Sequence, residues 1–304
     1  MADRQQQALN ALDKRLDLKE RTLAAVYRDA LISIRGKMSV IYDKYSVNGT
    51  LTKAQMTKYN RYASMEKAIL KELTPAIAKS VRDIKRLAPT EYEAAYFRMA
   101  WALDNENGVR LNWGTVNKDT IQAALANEFT NIALKGLTTD SQLAVRRALT
   151  DGLAVGKSYP QMVKDLKQAV NLSYNRAIRI LRTEGQDAQN AGADATYMKA
   201  DDLGIEGGKV WDATLDGDTR PTHGAIDGKK ADSKGLFYLG GNPAKYPADS
   251  ALPAGERINC RCRIRYEVEG YSPQIRRTRE QGIIPYQTYP EWVKEYGKPK
   301  SRRQ

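Results

Sequence analysis

The sequence predicts an α+β protein, mostly helical to about residue 200 and then closing in a small mixed module with few strands. Three observations carry this. Apolar residues recur at steps of three, four and seven through the first ninety positions. Near residue 203 the composition shifts to glycine, proline and aspartate. From Ile258 to Glu269 apolar and polar residues alternate without interruption. The chain thus divides into a long helical hairpin or coiled-coil arm (1–88), a helical region (89–202), the mixed module (203–270) and a basic C-terminal extension (271–304).

The first helix runs over about 5–45. Leu9, Leu12, Leu16, Leu23, Tyr27, Leu31, Ile34, Met38, Ile41 and Tyr45 form a narrow apolar seam flanked by charge. Asn48-Gly49 marks a turn. Thr52 and Gln55 are spaced as a capping box for a second helix, whose stripe runs from Tyr62 to Leu87. Pro75 falls inside that stripe and predicts a kink or break. Thr90 and Glu93 then open a third helix, Asn105 to Trp113 reads as a loop, and further helices are expected at 117–135, 139–152, 158–170 and 172–200. Between Ile258 and Glu269, Ile258, Cys260, Cys262, Ile264, Tyr266 and Val268 share one strand face. Asn259, Arg261, Arg263, Arg265, Glu267 and Glu269 share the other.

The chain of 304 residues carries 49 Lys and Arg against 36 Asp and Glu, net +13. Such an excess favours a polyanionic partner, double-stranded DNA or an acidic protein surface. No run of eighteen apolar residues occurs, so no membrane anchor is expected. The first residues lack the apolar stretch of a secretory signal. The two cysteines, one residue apart, make no disulfide framework and fit synthesis in a reducing cytoplasm.

Cys260, Cys262 and His223, the only histidine, are the sharpest cluster. Cysteines at i and i+2 of a strand point to one side, and thiolate with imidazole suits one Zn(II). Asp216, Asp218 or Asp227 would supply a fourth, oxygen ligand. The alternative is that both cysteines are small buried hydrophobes and His223 caps a turn. The zinc deaminase and H-E-x-x-H signatures are missing, and no nucleophile is placed for a triad, so no catalytic residues are assigned. Gly152 to Ser158 imitates a phosphate-binding loop but has three residues between its glycines where four are needed. Gly156 instead reads as a helix C-cap and Ser158 as the next N-cap. Arg261, Arg263 and Arg265 on the strand, with Arg276, Arg277 and Arg279 in the extension, are the candidate phosphate contacts. A solvated strand face is the plainer reading of the first three. The extension ends in Lys298, Lys300, Arg302 and Arg303.

From about residue 140 to 268 the chain resembles the phage Mu F-like head morphogenesis family, the minor head or minor capsid proteins. The resemblance rests on Gly156-Lys157-Ser158-Tyr159, Arg176-Ala177, Arg182-Thr183-Glu184 and Lys209-Val210-Trp211-Asp212-Ala213-Thr214. It continues through Asp216, Asp218-Thr219-Arg220-Pro221-Thr222-His223, Asp227-Gly228 and Ile258-Asn259-Cys260-Arg261-Cys262, all in the family's order. It implies a non-enzymatic structural protein of the virion head. The portal protein would be its main partner, major capsid or scaffolding protein further candidates, and packaged DNA a contact. It also implies that His223, Cys260 and Cys262 answer to the family's Cys/His pattern. Arg220 and Arg257 stand where many relatives carry further cysteines or a histidine, so a four-ligand zinc site does not carry over intact. Two rivals remain: a metal-dependent nuclease or hydrolase built on the same cluster, and a free, non-specific DNA-binding protein.

Overall fold

A computed structural model describes residues 3–126, 128–269, 273–278 and 281–296. The fold is α+β, with long helices followed by small antiparallel strand pairs. In order these are α1 (Arg4–Tyr45), α2 (Lys53–Thr57), a 3-10 turn (Lys58–Asn60), α3 (Arg61–Asn107), α4 (Lys118–Ala124), α5 (Glu128–Ala154) and α6 (Tyr159–Asp202). The mixed part follows with β1 (Gly207–Asp212), α7 (Pro221–Gly224), β2 (Phe237–Leu239), β3 (Asn242–Ala244), α8 (Ala254–Arg257) and β4 (Arg263–Val268). It ends with β5 (Ile275–Arg277), β6 (Ile283–Pro285) and α9 (Tyr289–Tyr296).

These elements form two compact units whose limits differ from the four segments expected. One comprises residues 1–16, 86–127 and 182–304; the other comprises 17–85 and 128–181. The unit boundaries at 16/17, 85/86 and 181/182 fall within α1, α3 and α6. Periodicity shows where a helix runs, but not where its packing partners change.

The second unit is wholly helical. The seam of α1 is buried there through Leu23, Tyr27, Ile34 and Met38, but at its end Tyr42 is buried where Ile41 and Tyr45 were expected; Met65, Ile69, Leu73 and Ile77 of α3 are buried in the same unit. Asn48 and Gly49 turn with positive φ, and Thr52 caps α2 in a box with Gln55. The expected break at Pro75 does not occur. α3 passes through Pro75 and Pro89 without interruption, and the Thr90 capping box does not form; the Thr90 hydroxyl donates back to the Leu87 carbonyl at 2.8 Å. Both prolines are exposed, as are Lys71 and Lys85 four residues earlier. The carbonyls that each proline leaves without a donor therefore lie on the solvent side. The real interruption is at Tyr59 and Asn60, with φ of 53° and 55°. The breaks expected near 137 and 171 are absent too, because α5 and α6 are continuous. Gly156 follows α5 with φ of 67°, and Ser158 pairs with Gln161 at the start of α6.

In the first unit, β1 and β4 pair antiparallel with Trp211 opposite Ile264. β2 and β3 form a hairpin through Gly240 and Gly241, both at positive φ. Their core gathers Trp211, Phe237, Leu239, Ile264 and Tyr266 with Trp292 of α9 and Tyr197 of α6. Gly192 lets α6 approach α3 closely, since a Cβ there would lie 2.1 Å from the Tyr92 carbonyl oxygen. The strand expected over 258–269 is shorter. Asn259 adopts φ of 57°, and the Cys260 N–H donates to the Arg257 carbonyl, so the cysteines sit in a turn ahead of β4.

Candidate metal centre and its surroundings

The chain brings His223, Cys260 and Cys262 together inside the first unit. His223 lies on α7, a single turn started by Pro221 at a position where its missing N–H costs nothing. Its ring is 1% exposed and meets Trp211 edge-on, with ring centres 5.4 Å apart. Nδ1 lies 3.4 Å from the Cys262 sulfur and 3.6 Å from the Cys260 sulfur. Nε2 faces the Glu256 carboxylate at 3.0 Å.

The cysteine turn is held by a polar stripe on α6. Gln186 and Asn190 both donate to the Cys262 carbonyl, at 2.7 and 3.1 Å, and the Thr183 hydroxyl accepts the Asn259 N–H at 3.1 Å. Arg257 is buried between Glu184 and Asp187 and also donates to the Ala248 carbonyl. Arg220 donates to the Ile258 carbonyl. Arg220 and Arg257 thus both fix backbone around the cysteine segment.

The two thiols share their protons unevenly. Burial pushes the Cys260 thiol up, but hydrogen bonds with Cys262 outweigh it and, with Arg220 and Arg263 nearby, leave Cys260 below its ordinary value. Its hydrogen bond with Cys260, reinforced by burial, raises Cys262 well above that value. Cys260 is thus the more readily ionised of the two sulfurs, and two sulfurs beside an imidazole are a donor set suited to a soft cation. A tetrahedral zinc, with bonds of about 2.3 Å to sulfur and 2.0–2.1 Å to nitrogen, separates its nitrogen and sulfur ligands by roughly 3.5 Å. The two nitrogen–sulfur distances here fit that spacing.

Asp216 does not join the three ligands. Its carboxylate is gripped by both terminal nitrogens of Arg261, one at 2.9 Å, and accepts the Asp218 N–H at 3.0 Å. The arginine row on β4 does not form a solvated or phosphate-facing surface. Arg263 and Arg265 are 7% and 4% exposed and bind Asp13 and Asp3 at the start of α1, which covers the strand face the alternation left open. Arg276 is buried against Asp212 and Asp227 and donates to the Gln287 and Ala213 carbonyls. Arg277 lies on β5; Arg279 and the basic residues after 297 lie outside the described residues. Charge pairing over more than two hundred residues leaves no local pattern, so alternation alone could not reveal it. Glu256, Gln186 and Asn190 were also missed. Polar residues at helical spacing on α6 read equally well as a solvent-facing stripe, and only their burial shows otherwise.

Along nearly its whole length this chain is similar to "Minor head protein GP7" of Bacillus phage SPP1. The two are 30% identical over 298 residues, covering 93% of this chain and 96% of the relative. The chain belongs to the phage minor head protein family. Residues 144–265 also match the family described as "Phage Mu protein F like protein", a stretch that includes α6, β1 and all three candidate ligands. A second relative is "NAD(+)--arginine ADP-ribosyltransferase EFV" of Enterococcus faecalis (strain ATCC 700802 / V583), 29% identical over 293 residues. That match covers 94% of this chain but only 59% of the enterococcal protein. No solved structure matches.

Proposed function

We propose that this chain is a structural, non-catalytic part of a tailed-phage head that binds the portal protein, with one Zn(II) held by His223, Cys260 and Cys262. The observation that carries the reading is the end-to-end match with a minor head protein. Burial supports the non-catalytic role. His223 is 1% exposed and both its ring nitrogens are engaged, so a hydrolase or nuclease would need a base that a substrate could not reach. Bound zinc would supply cross-linking of α7 to the cysteine turn. The transferase activity in the enterococcal protein's name stays with that protein, of which this chain spans 59%.

Contact with packaged DNA belongs to the helical unit in this reading. That unit carries 22 Lys and Arg against 11 Asp and Glu, net +11, whereas the first unit carries 27 against 25. Arg21, Arg28 and Arg35 recur at seven-residue steps along α1 and are exposed, spacing that keeps them near one face. Lys67, Lys71, Arg82 and Lys85 are exposed on α3.

The test is co-expression with the portal protein of the same phage, followed by pull-down and by assembly of heads. Portal capture with no turnover of nucleic acid is expected. Capture of major capsid or scaffolding protein alone would move the contact elsewhere. Duplex DNA should be bound with an affinity that falls steeply with salt. Arg21→Glu with Arg28→Glu and Arg35→Glu should flatten that dependence while portal capture persists.

A further inference from the structure

We propose that Glu256 is the positioning residue of the metal centre: its carboxylate holds the proton of His223 on Nε2 and so turns the Nδ1 lone pair toward the two sulfurs. This inference rests on the zinc reading above for its metal-binding arm, but its geometry stands without the ion.

The ring nitrogens of His223 face different chemistry. Nε2 meets one Glu256 oxygen at 3.0 Å, and the same oxygen accepts the Thr222 hydroxyl at 2.8 Å. Nδ1 meets only sulfur among these neighbours, at 3.4 and 3.6 Å. An ionised carboxylate accepts and cannot donate, so the nitrogen beside it carries the hydrogen and the other keeps its lone pair. That is the tautomer a cation between Nδ1 and the thiols requires. A carboxylate behind the ring also raises the nitrogen's basicity toward a metal. The chain sets this arrangement from two sides. Thr222 precedes His223 on α7 and binds the carboxylate, while Glu256 lies on α8, four residues before the first cysteine. One short turn thus couples the histidine to the segment that delivers the sulfurs.

Glu256 differs from the ligands in one useful respect. Its side chain is 20% exposed, while that of His223 is 1% exposed. Removing it leaves no buried unpaired charge, so variants should fold and can be compared with the parent.

The experiment uses untagged full-length chain in three forms: parent, Glu256→Gln and Glu256→Ala. His223 is the only histidine, so selective nitrogen-15 labelling of histidine gives one imidazole and reads its tautomer directly. The metal-free parent should show protonated Nε2 and bare Nδ1. Glu256→Gln should keep that preference through its amide oxygen, and Glu256→Ala should lose it. In zinc competition against a chromophoric chelator, Glu256→Ala should bind about 10–100-fold more weakly than the parent, with Glu256→Gln between them. An alanine variant with the parent's tautomer and the parent's zinc affinity would overturn the proposal. A parent that binds no zinc overturns the metal reading instead, and the tautomer measurement then decides the role of Glu256 alone.

Discussion

The side-chain amide of Gln5 pairs with both backbone groups of Tyr266: its oxygen accepts the Tyr266 N–H and its nitrogen donates to the Tyr266 carbonyl, each at 2.8 Å. A side chain thereby does what a third strand would do for the edge of β4 that faces away from β1. The same amide nitrogen also donates to Glu106 at 2.8 Å. Gln5→Ala leaves two buried backbone groups without partners, and we expect a loss of about 2–4 kcal/mol. Chemical denaturation of parent and variant measures it; an unchanged midpoint would show the edge is satisfied some other way.

Arg276 pairs with both Asp212 and Asp227. Arg276→Met would leave both carboxylates buried without it, a change of about 3–5 kcal/mol where a buried pair loses one partner. Limited proteolysis should then cut between residues 273 and 296 well before the rest of the chain. Equal protection in both proteins would argue that Trp292 alone docks this segment.

Asp187 gives a pH dependence with a defined sign. Burial, opposed by Arg257 and reinforced by Glu184, pushes its carboxyl up from 3.8 to about 7. The folded state therefore holds a proton that the unfolded chain releases, and this contribution to stability is lost as pH rises from about 4 to 7. Asp187→Asn stays neutral and leaves Glu184 to balance Arg257. Its melting temperature should exceed the parent's by more at pH 8 than at pH 4. A pH-independent difference would sink this assignment.

Stripping zinc with a strong chelator should lower the melting temperature of the parent, and the Cys260→Ser, Cys262→Ser double variant should melt near the stripped value with or without added zinc. Elemental analysis should find one zinc per parent chain and none in the double variant.

Gly192→Ala tests the packing of α6 on α3. The new methyl carbon would meet a backbone oxygen, which cannot rotate away as a side chain could. The cost should exceed the 1–3 kcal/mol typical of an overpacked site. Soluble, fully folded protein with the parent's melting temperature would contradict it.

How much of this was legible follows from the range of the interactions. The seam of α1 reads directly because helical burial repeats every three or four residues, and Leu12, Leu23 and Ile34 are indeed buried. The cluster of His223 with Cys260 and Cys262 was visible from residue type alone. The continuity of α3 was not, because proline is tolerated on an exposed face and the sequence does not mark which face that is. Nor was the fate of Arg263 and Arg265, whose partners Asp13 and Asp3 lie some 250 positions away. Strand alternation reports that two faces differ; it does not report that a helix start carrying carboxylates will cover the second one.

Because the first unit combines residues 1–16, 86–127 and 182–304, its opening helical turn can meet Glu106 early but waits for β4 until late in synthesis. Asp3 meets Arg265 after 262 further positions have been translated, which at 5–20 residues per second takes roughly 13–50 s. A transcript cut short would yield a chain with a helical bundle but no finished module. If portal binding uses that module, only completed polypeptides can enter a growing head, and the order of synthesis becomes a check on what is built in.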